Sequence, residues 1–266
     1  MLKYIISSLF IFSALIGYSQ EETIVADSIA TDTISTKEIV KDSVVYKQRY
    51  GLRVGIDLSK PLRSILDDNY RGLEIVGDFR VSHNFYVAGE LGNEEKTTQE
   101  DNFNFTTSGS YLKLGFDWNT YENWYGMENI INLGIRFGLS TFDQTLNEYQ
   151  IYTPNQFWNE ADSGLTGGDM LGEYSGLNAQ WTEIVLGIKV ELIRNIFLSG
   201  SVRLNYLINQ TEANQFPNLY IPGFNKVTDG SKFGVGYNYT LTYLIPLFKS
   251  NKPQKKEKVK EEKDQN

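Results

Sequence analysis

Cysteine is missing from this 266-residue chain, and histidine occurs once, as His83. Without thiols there is no disulfide framework, no thiol nucleophile and no cysteine to carry a lipoprotein anchor. One histidine cannot build a zinc site that needs His or Cys ligands. Basic charge is also short: 25 Lys and Arg against 33 Asp and Glu leave a formal net charge of −8. That balance excludes nucleic acid as a partner, since such binding requires a basic face. Long apolar runs are scarcest of all. The one run of note spans residues 4–15, too short for the roughly 20 residues of a membrane helix. A chain of this kind can cross a membrane only as a closed barrel.

What is abundant points the same way. Aromatic residues make up 14 %, led by 17 Tyr and 15 Phe, and there are 23 Gly, a mixture suited to strands and tight turns. Residues 1–19 read as a signal peptide: Lys3 opens it, the apolar run follows, and Gly17 and Ser19 precede a cut before Gln20. An uncleaved anchor is the rival reading, disfavoured by the short run. Residues 20–46 are polar and Thr/Ser-rich, as expected of a flexible periplasmic tail. Residues 249–266 form a Lys/Glu-rich charged tail, either simply solvated or in contact with an anionic envelope polymer.

Between the tails, residues 47–248 alternate apolar and polar side chains in eight successive segments. The fifth is the clearest, with Ile131, Leu133, Ile135, Phe137 and Leu139 opposite Asn132, Gly134, Arg136, Gly138 and Ser140. Pro61, Pro154, Pro217 and Pro222 fall in connections and Pro246 at the end of the last segment, as a donor-less residue should. Connections are short at 82–84 and 194–195, moderate around Tyr121 and Trp124, and long at 59–70, 93–109, 144–177 and 209–231. The expected fold is therefore all-β: an antiparallel up-and-down transmembrane β-barrel of about eight strands with disordered N- and C-terminal tails.

Alternation alone does not say which face is inside. A soluble periplasmic lipocalin-like barrel would bury the apolar face. The membrane orientation is favoured by three features. The polar face mixes both charge signs with glycine and small residues, the rims are asymmetric, and the apolar face is aromatic near strand ends, at Tyr50, Trp118, Phe142, Phe233 and Tyr243. In that orientation Arg53, Arg80, Lys113, Arg136, Lys189 and Arg203 point into the lumen with Asp57, Glu74, Asp78, Glu90, Asp117, Glu183 and Glu191. An eight-stranded lumen is only wide enough for side chains, so these charges are expected to pair and plug it.

No catalytic constellation emerges. His83 falls in a tight turn on the short rim, away from where an acyltransferase or hydrolase would need its base. The loop over 144–177 carries Glu160, Asp162, Asp169 and Glu173 among glycines, a weak pattern for a hard cation and by default a solvated loop. Its aromatics, and those of the loop before the last segment, either pack over the barrel mouth, with the two loops docked on each other, or mark Trp158, Tyr174, Tyr220 and Phe224 as a candidate interaction surface. The expectation is a non-enzymatic barrel without cofactor, in outer-membrane lipid, with tails in the periplasm and long loops outside. Its partners would be the barrel-insertion machinery and an envelope or extracellular molecule. The rival is an outer-membrane enzyme acting on lipid or peptide.

Three stretches also carry a resemblance. Gly55-Ile56-Asp57-Leu58-Ser59-Lys60-Pro61, Asn218-Leu219-Tyr220-Ile221-Pro222-Gly223-Phe224-Asn225 and Phe233-Gly234-Val235-Gly236-Tyr237-Asn238-Tyr239-Thr240 resemble a family of uncharacterised small outer-membrane β-barrel proteins of Gram-negative envelopes. The resemblance covers residues 46–248 and implies fold and location without an activity or functional residues. One departure stands out. Such barrels usually end on an aromatic residue, whereas here a charged tail follows Leu247 and Phe248.

Overall fold

The computed structural model describes residues 47–101, 103–121, 128–149, 171–213, 217–228 and 231–251. The signal peptide and N-terminal tail, and the C-terminal tail beyond Asn251, lie outside the described residues. Eight long strands close into one antiparallel barrel: β1 (Lys47–Asp57), β2 (Tyr70–Arg80), β3 (Phe85–Glu100), β4 (Phe103–Asn119), β5 (Ile130–Tyr149), β6 (Gly172–Ile193), β7 (Ile196–Gln210) and β10 (Phe233–Asn251). Each pairs with its neighbour in sequence, and β10 closes on β1. Lys47 sits opposite Asn251, so the described chain enters and leaves at the same rim.

Side chains alternate strictly between interior and exterior. In β5 every residue from Ile130 to Gln144 follows the rule, with Arg136 buried between outward Ile135 and Phe137. What changes along the strand is the chemistry of the two faces. From Ile131 to Ser140 the exterior is apolar and the interior polar or glycine. Beyond it Thr141 and Asp143 point out while Phe142 and Leu146 are buried. The paired strands turn over beside it. On β6, Ile184, Leu186 and Ile188 are exposed, whereas Leu177, Ala179 and Trp181 are inside. On β4, Leu112 to Trp118 are exposed on alternate positions, whereas Phe105 and Tyr111 are inside. The barrel thus has a lower storey with an apolar outside and an upper storey with an apolar inside.

This inversion corrects two expectations. Phe142 does not join the outward aromatic set. Its position in the alternation aims it inward, where it is 1 % exposed. The long connection at 93–109 is not a loop: β3 and β4 continue as a paired hairpin up to Glu100 and Phe103. Threonines carry it, with the Thr97 and Thr106 hydroxyls 2.9 Å apart, and β-branched residues favour extended backbone whatever face they show. Likewise β5 and β6 reach to Tyr149 and Gly172, narrowing the expected 144–177 loop.

The remaining long connections also hold structure. A short helix, α1 (Ser59–Leu66), follows β1. Between β7 and β10, a small hairpin of β8 (Tyr220–Ile221) and β9 (Asn225–Lys226) turns back into the barrel mouth. The hairpin's turn needs Gly223, whose φ of +82° is costly for residues with a Cβ and whose added Cβ would also meet the ring of Tyr111. At the other end, the β1–β10 pairing slips between Tyr50 and Gly51, opposite Pro246. Pro246 therefore lies within β10 at an irregularity of the ladder, where a missing N–H is tolerated.

Gly138 leaves room for the indole of Trp181 against the neighbouring strand, and a Cβ there would run into the ring. Gly138→Val should therefore destabilise the barrel by about 1–3 kcal/mol through overpacking. Urea unfolding in detergent, followed by tryptophan emission, checks this. An unchanged midpoint would contradict the packing described.

Candidate functional site

The inward residues of the lower storey arrange themselves as a column of ion pairs. At the short-turn rim, the Arg80 guanidinium donates to the His83 carbonyl at 2.6 Å and lies over the rings of Tyr50 and Tyr86. His83 itself shares a hydrogen bond between Nδ1 and Gln48 Oε1, at 2.6 Å, which ties the turn to β1. One step in, Asp78 is held between Arg53 and Lys189, each at 2.5 Å. Asp117 takes Arg136 at 2.9 Å.

Glu90 is the centre. It accepts two hydrogen bonds from Arg203, at 2.6 and 3.0 Å, and one from Arg136 at 3.3 Å, with the Lys113 ammonium 3.7 Å away. Glu183 shares Arg203 at 3.0 Å and Lys113 at 3.2 Å, and accepts the Trp181 indole N–H at 2.7 Å. Above it Glu74 accepts the Tyr111 hydroxyl at 2.5 Å and the Asn238 amide at 2.9 Å. Asn238 donates also to Asp57, which receives Ser59 and the Tyr239 backbone N–H as well.

Two residues that sequence reasoning did not assign complete the column. Glu94, fully buried, pairs with Lys60 of α1 and accepts the Tyr220 hydroxyl at 2.5 Å and the Gly223 N–H at 3.3 Å. Burial opposes the charge on Lys60, but Glu94 and Glu74 outweigh it and hold its pKa above the usual lysine range. The signal was available for Glu94, which continues the inward parity of Glu90. It was hidden by reading 93–109 as a loop. Lys60 offered no periodic signal, because it enters the lumen from a helix.

Of the sequence-assigned charges, the structure brings together Arg53, Glu74, Asp78, Glu90, Lys113, Asp117, Arg136, Glu183, Lys189 and Arg203, with Asp57 tied in through Asn238. Arg80 is buried at the rim on backbone carbonyls. Glu191 is not part of the column. It lies at the rim, half-buried, paired with Arg49 at 2.6 Å, two residues past the last pairing of β6 with β5. With Lys60 and Glu94 included, seven basic and seven acidic side chains occupy the interior among the described residues.

Of the two readings of the loop aromatics, packing over the mouth holds for Tyr220 and Phe224, and the interaction surface is corrected there. Tyr220 and Phe224 are 2 % and 1 % exposed: they are the underside of the β8–β9 hairpin and point into the barrel. Phe224 and Ile221 pack on Tyr111, Phe142, Leu177, Ala179, Trp181 and Leu207, with Phe224 edge-on to Trp181 at 6.0 Å. Tyr220 packs on Phe105 and Leu146. An apolar interior receives apolar loop residues, and each fully buried Phe or Ile contributes about 1.5–3 kcal/mol. Tyr174 is partly buried against both clusters. Trp158 and the acidic residues Glu160, Asp162 and Asp169 lie outside the described residues, and Glu173 is exposed on β6.

Space inside is small. One cavity of about 50 Å³ lies within the lower storey, lined by Asp78, Asp117, Arg203 and Thr242 among others. Buried Asp117 Oδ1, Arg203 Nε and Thr242 Oγ1 find no partner among the described residues. A polar cavity of that size suits a few ordered waters rather than a ligand.

Among known proteins, the model of the family described as Domain of unknown function (DUF6048) matches residues 1–250. No curated protein matches the sequence. Solved structures similar to this chain include Ail, the attachment invasion locus protein of Yersinia pestis, at 8 % identity and TM-score 0.36, covering 74 % of this chain and 97 % of that one. Acinetobacter baumannii CarO2 follows at 9 % and 0.35, covering 75 % and 99 %. A major outer membrane protein from Thermus thermophilus stands at 13 % and 0.33, covering 74 % and 98 %. At such values a neighbour's biology does not transfer.

Removing the central carboxylate isolates the effect of the column. Glu90→Gln strands two guanidinium groups in a buried site and should cost about 3–5 kcal/mol. Glu191→Gln breaks a half-buried rim pair and should cost less than about 1 kcal/mol. Adding Arg203→Gln to Glu90→Gln should recover part of the first loss. Equal midpoints for the two single variants in detergent unfolding would refute the ranking.

Proposed function

The chain belongs to the family described as Domain of unknown function (DUF6048), and since that membership brings no activity with it, we propose a role from the geometry: a small outer-membrane barrel with a closed lumen and a structural or interaction function in the cell envelope. The observation that carries this is the inversion of the two storeys. Residues such as Leu186 and Ile135, 60 % and 62 % exposed, ring the lower wall while charges fill its centre. Water would favour the reverse, and the upper storey of the same barrel adopts that reverse. A lower wall standing in hydrocarbon and an upper wall standing in water account for both. A soluble lipocalin-like barrel would show one apolar interior throughout.

The strands fit that reading. A span needs about 9–11 residues, whereas β5 has 20 and β6 has 22, enough to cross and to project beyond. The chain ends then lie on the periplasmic side, beside the short turns, and the long connections lie outside. The lumen is closed twice, by ion pairs below and by the β8–β9 hairpin above, which supports a barrel that does not conduct. Its carboxylates are committed to cations, amides or hydroxyls, which favours a binding and structural role over turnover of lipid or peptide. Partners implied are outer-membrane lipid, the insertion machinery, and an envelope or extracellular molecule met by the projecting strands.

Heat-modifiable gel mobility is the first expected result, because a closed ladder resists detergent until boiled. Identical migration of boiled and unboiled protein would sink the membrane barrel. Planar-bilayer recordings should show no stable large conductance, and a defined open level would overturn the closed lumen. Leu186→Arg should cost roughly 2–4 kcal/mol in lipid, the penalty for a charge near the midplane of a barrel. Wild-type stability for that variant would return the soluble barrel to contention.

A further inference from the structure

Beyond the end of β1 the wall is short of one strand. β1 ends at Asp57, opposite Thr240, so the edge of β10 from Phe233 to Asn238 has β7 on one side and no strand on the other among the described residues. β2 meets β1 only from Ile75 to Phe79, so Tyr70 to Glu74 pair with β3 alone. Helix α1 stands in this opening, packed on β2 and touching β10. It turns Leu62, Ile65 and Leu66 outward, all exposed. A helix cannot complete a sheet's hydrogen bonds, so the wall here is a seam.

Beside α1 the seam opens into a crevice of about 220 Å³. Arg63, Lys96 and Lys226 line it, from α1, β3 and β9, and Val235 and Tyr237 of β10 line it from the apolar side. Lys60, also at its wall, is engaged by Glu94. Arg63, Lys96 and Lys226 make no salt bridge among the described residues. Two are braced on aromatic faces, Arg63 over Tyr70 at 4.1 Å and Lys96 over Tyr220 at 5.1 Å. Those rings hold the cations in place without cancelling their charge. Arg63 and Lys226 act on Lys96 as like charges, with Asp67 and Glu94 opposing them. Gathering three cations around one half-enclosed space is unfavourable unless an anion shares it. The mouth of the same space is apolar: Val235 and Tyr237 are 69 % and 63 % exposed on the outer face.

We propose that this seam is a lateral binding site for an anionic lipid, with the head-group phosphate held by Arg63, Lys96 and Lys226 and the chains lying along Val235, Tyr237 and the apolar face of α1. The proposal rests on the membrane reading above. Guanidinium and ammonium groups together suit a phosphate, which Arg can grip through two parallel N–H donors. A free anion would need the cations alone and would leave the apolar mouth unexplained. A neutral lipid would leave the cations unexplained.

The full chain in detergent can be titrated with phosphatidic acid, with phosphatidylcholine of the same acyl chains and with inorganic phosphate, and bound species read by native mass spectrometry. Phosphatidic acid should bind on the order of tenfold or more tighter than phosphatidylcholine, since each basic residue near an anionic head group contributes appreciably. The triple change Arg63→Ala, Lys96→Ala and Lys226→Ala should abolish that preference. The exposed Lys226→Ala alone should reduce it. Lys96→Arg, and Arg194→Ala at the opposite rim, should keep it. Equal binding of the two lipids, or a preference that survives the triple change, would overturn the site. Inorganic phosphate binding as tightly as phosphatidic acid would also overturn it, in favour of a free anion. Heat-modifiable mobility measured on the same samples separates the two levels. Its absence in wild type refutes the membrane barrel, whereas a heat-modifiable barrel indifferent to head group refutes only the seam.

Discussion

Closing eight antiparallel strands into a ring satisfies nearly all backbone hydrogen bonds within the wall and fixes its radius at the same time. At eight strands the interior is about wide enough for side chains. The closure also makes every residue face either in or out, with no third choice. From Ile130 to Gln144 of β5 this rule holds without exception, and it holds through the level where the two faces exchange apolar and polar character. The chain cannot adjust its facing there, so it changes its residue types instead.

In the lower storey that constraint produces the charged column. Ions taken from water lose several kcal/mol each, and their mutual attraction returns that only when geometry is good and the remaining donors and acceptors are met. Glu90 meets this condition through two arginines, and Glu183 through Arg203, Lys113 and the Trp181 indole. The equal numbers of acids and bases matter more than any single pair. Removing one member leaves a charge that no neighbour can cover. Such a column adds little net stability over an apolar filling. Its effect is to fix register: a slip of one residue would turn each of these charges outward.

In the upper storey the same rule brings Phe142, Trp181 and Tyr111 inside, and an apolar hollow open at the top would be wetted. The β8–β9 hairpin covers it with Ile221 and Phe224. Glu94 is where the two storeys join. It takes Lys60 from α1, the Tyr220 hydroxyl and the Gly223 N–H from the hairpin, and so ties two connections to the wall. The seam at α1 is the exception to closure, and it is also where three basic side chains stand without acidic partners in salt-bridge contact among the described residues.

Much of this was legible in the residues alone. The period of two from Tyr50 to Tyr243, the proline positions and the near-balance of inward charge imply eight paired strands and a charged interior, because a strand's parity is a local property. Parity also placed Arg53, Asp78, Glu90, Arg136 and Arg203 on one face. It could not name partners: Lys189 meets Asp78 of β2 across the lumen, a contact set by the ring's closure. Composition left Tyr220 and Phe224 between packing over the mouth and a partner surface. An apolar loop can be either until the wall beneath it is known to be apolar too. The strand ends beyond Asn93 and Asp143 were lost for a related reason. Sequence alternation reports a difference between two environments, and it fades where they exchange. Backbone pairing does not depend on that difference, so the ladder runs on, and only the closed barrel decides how far.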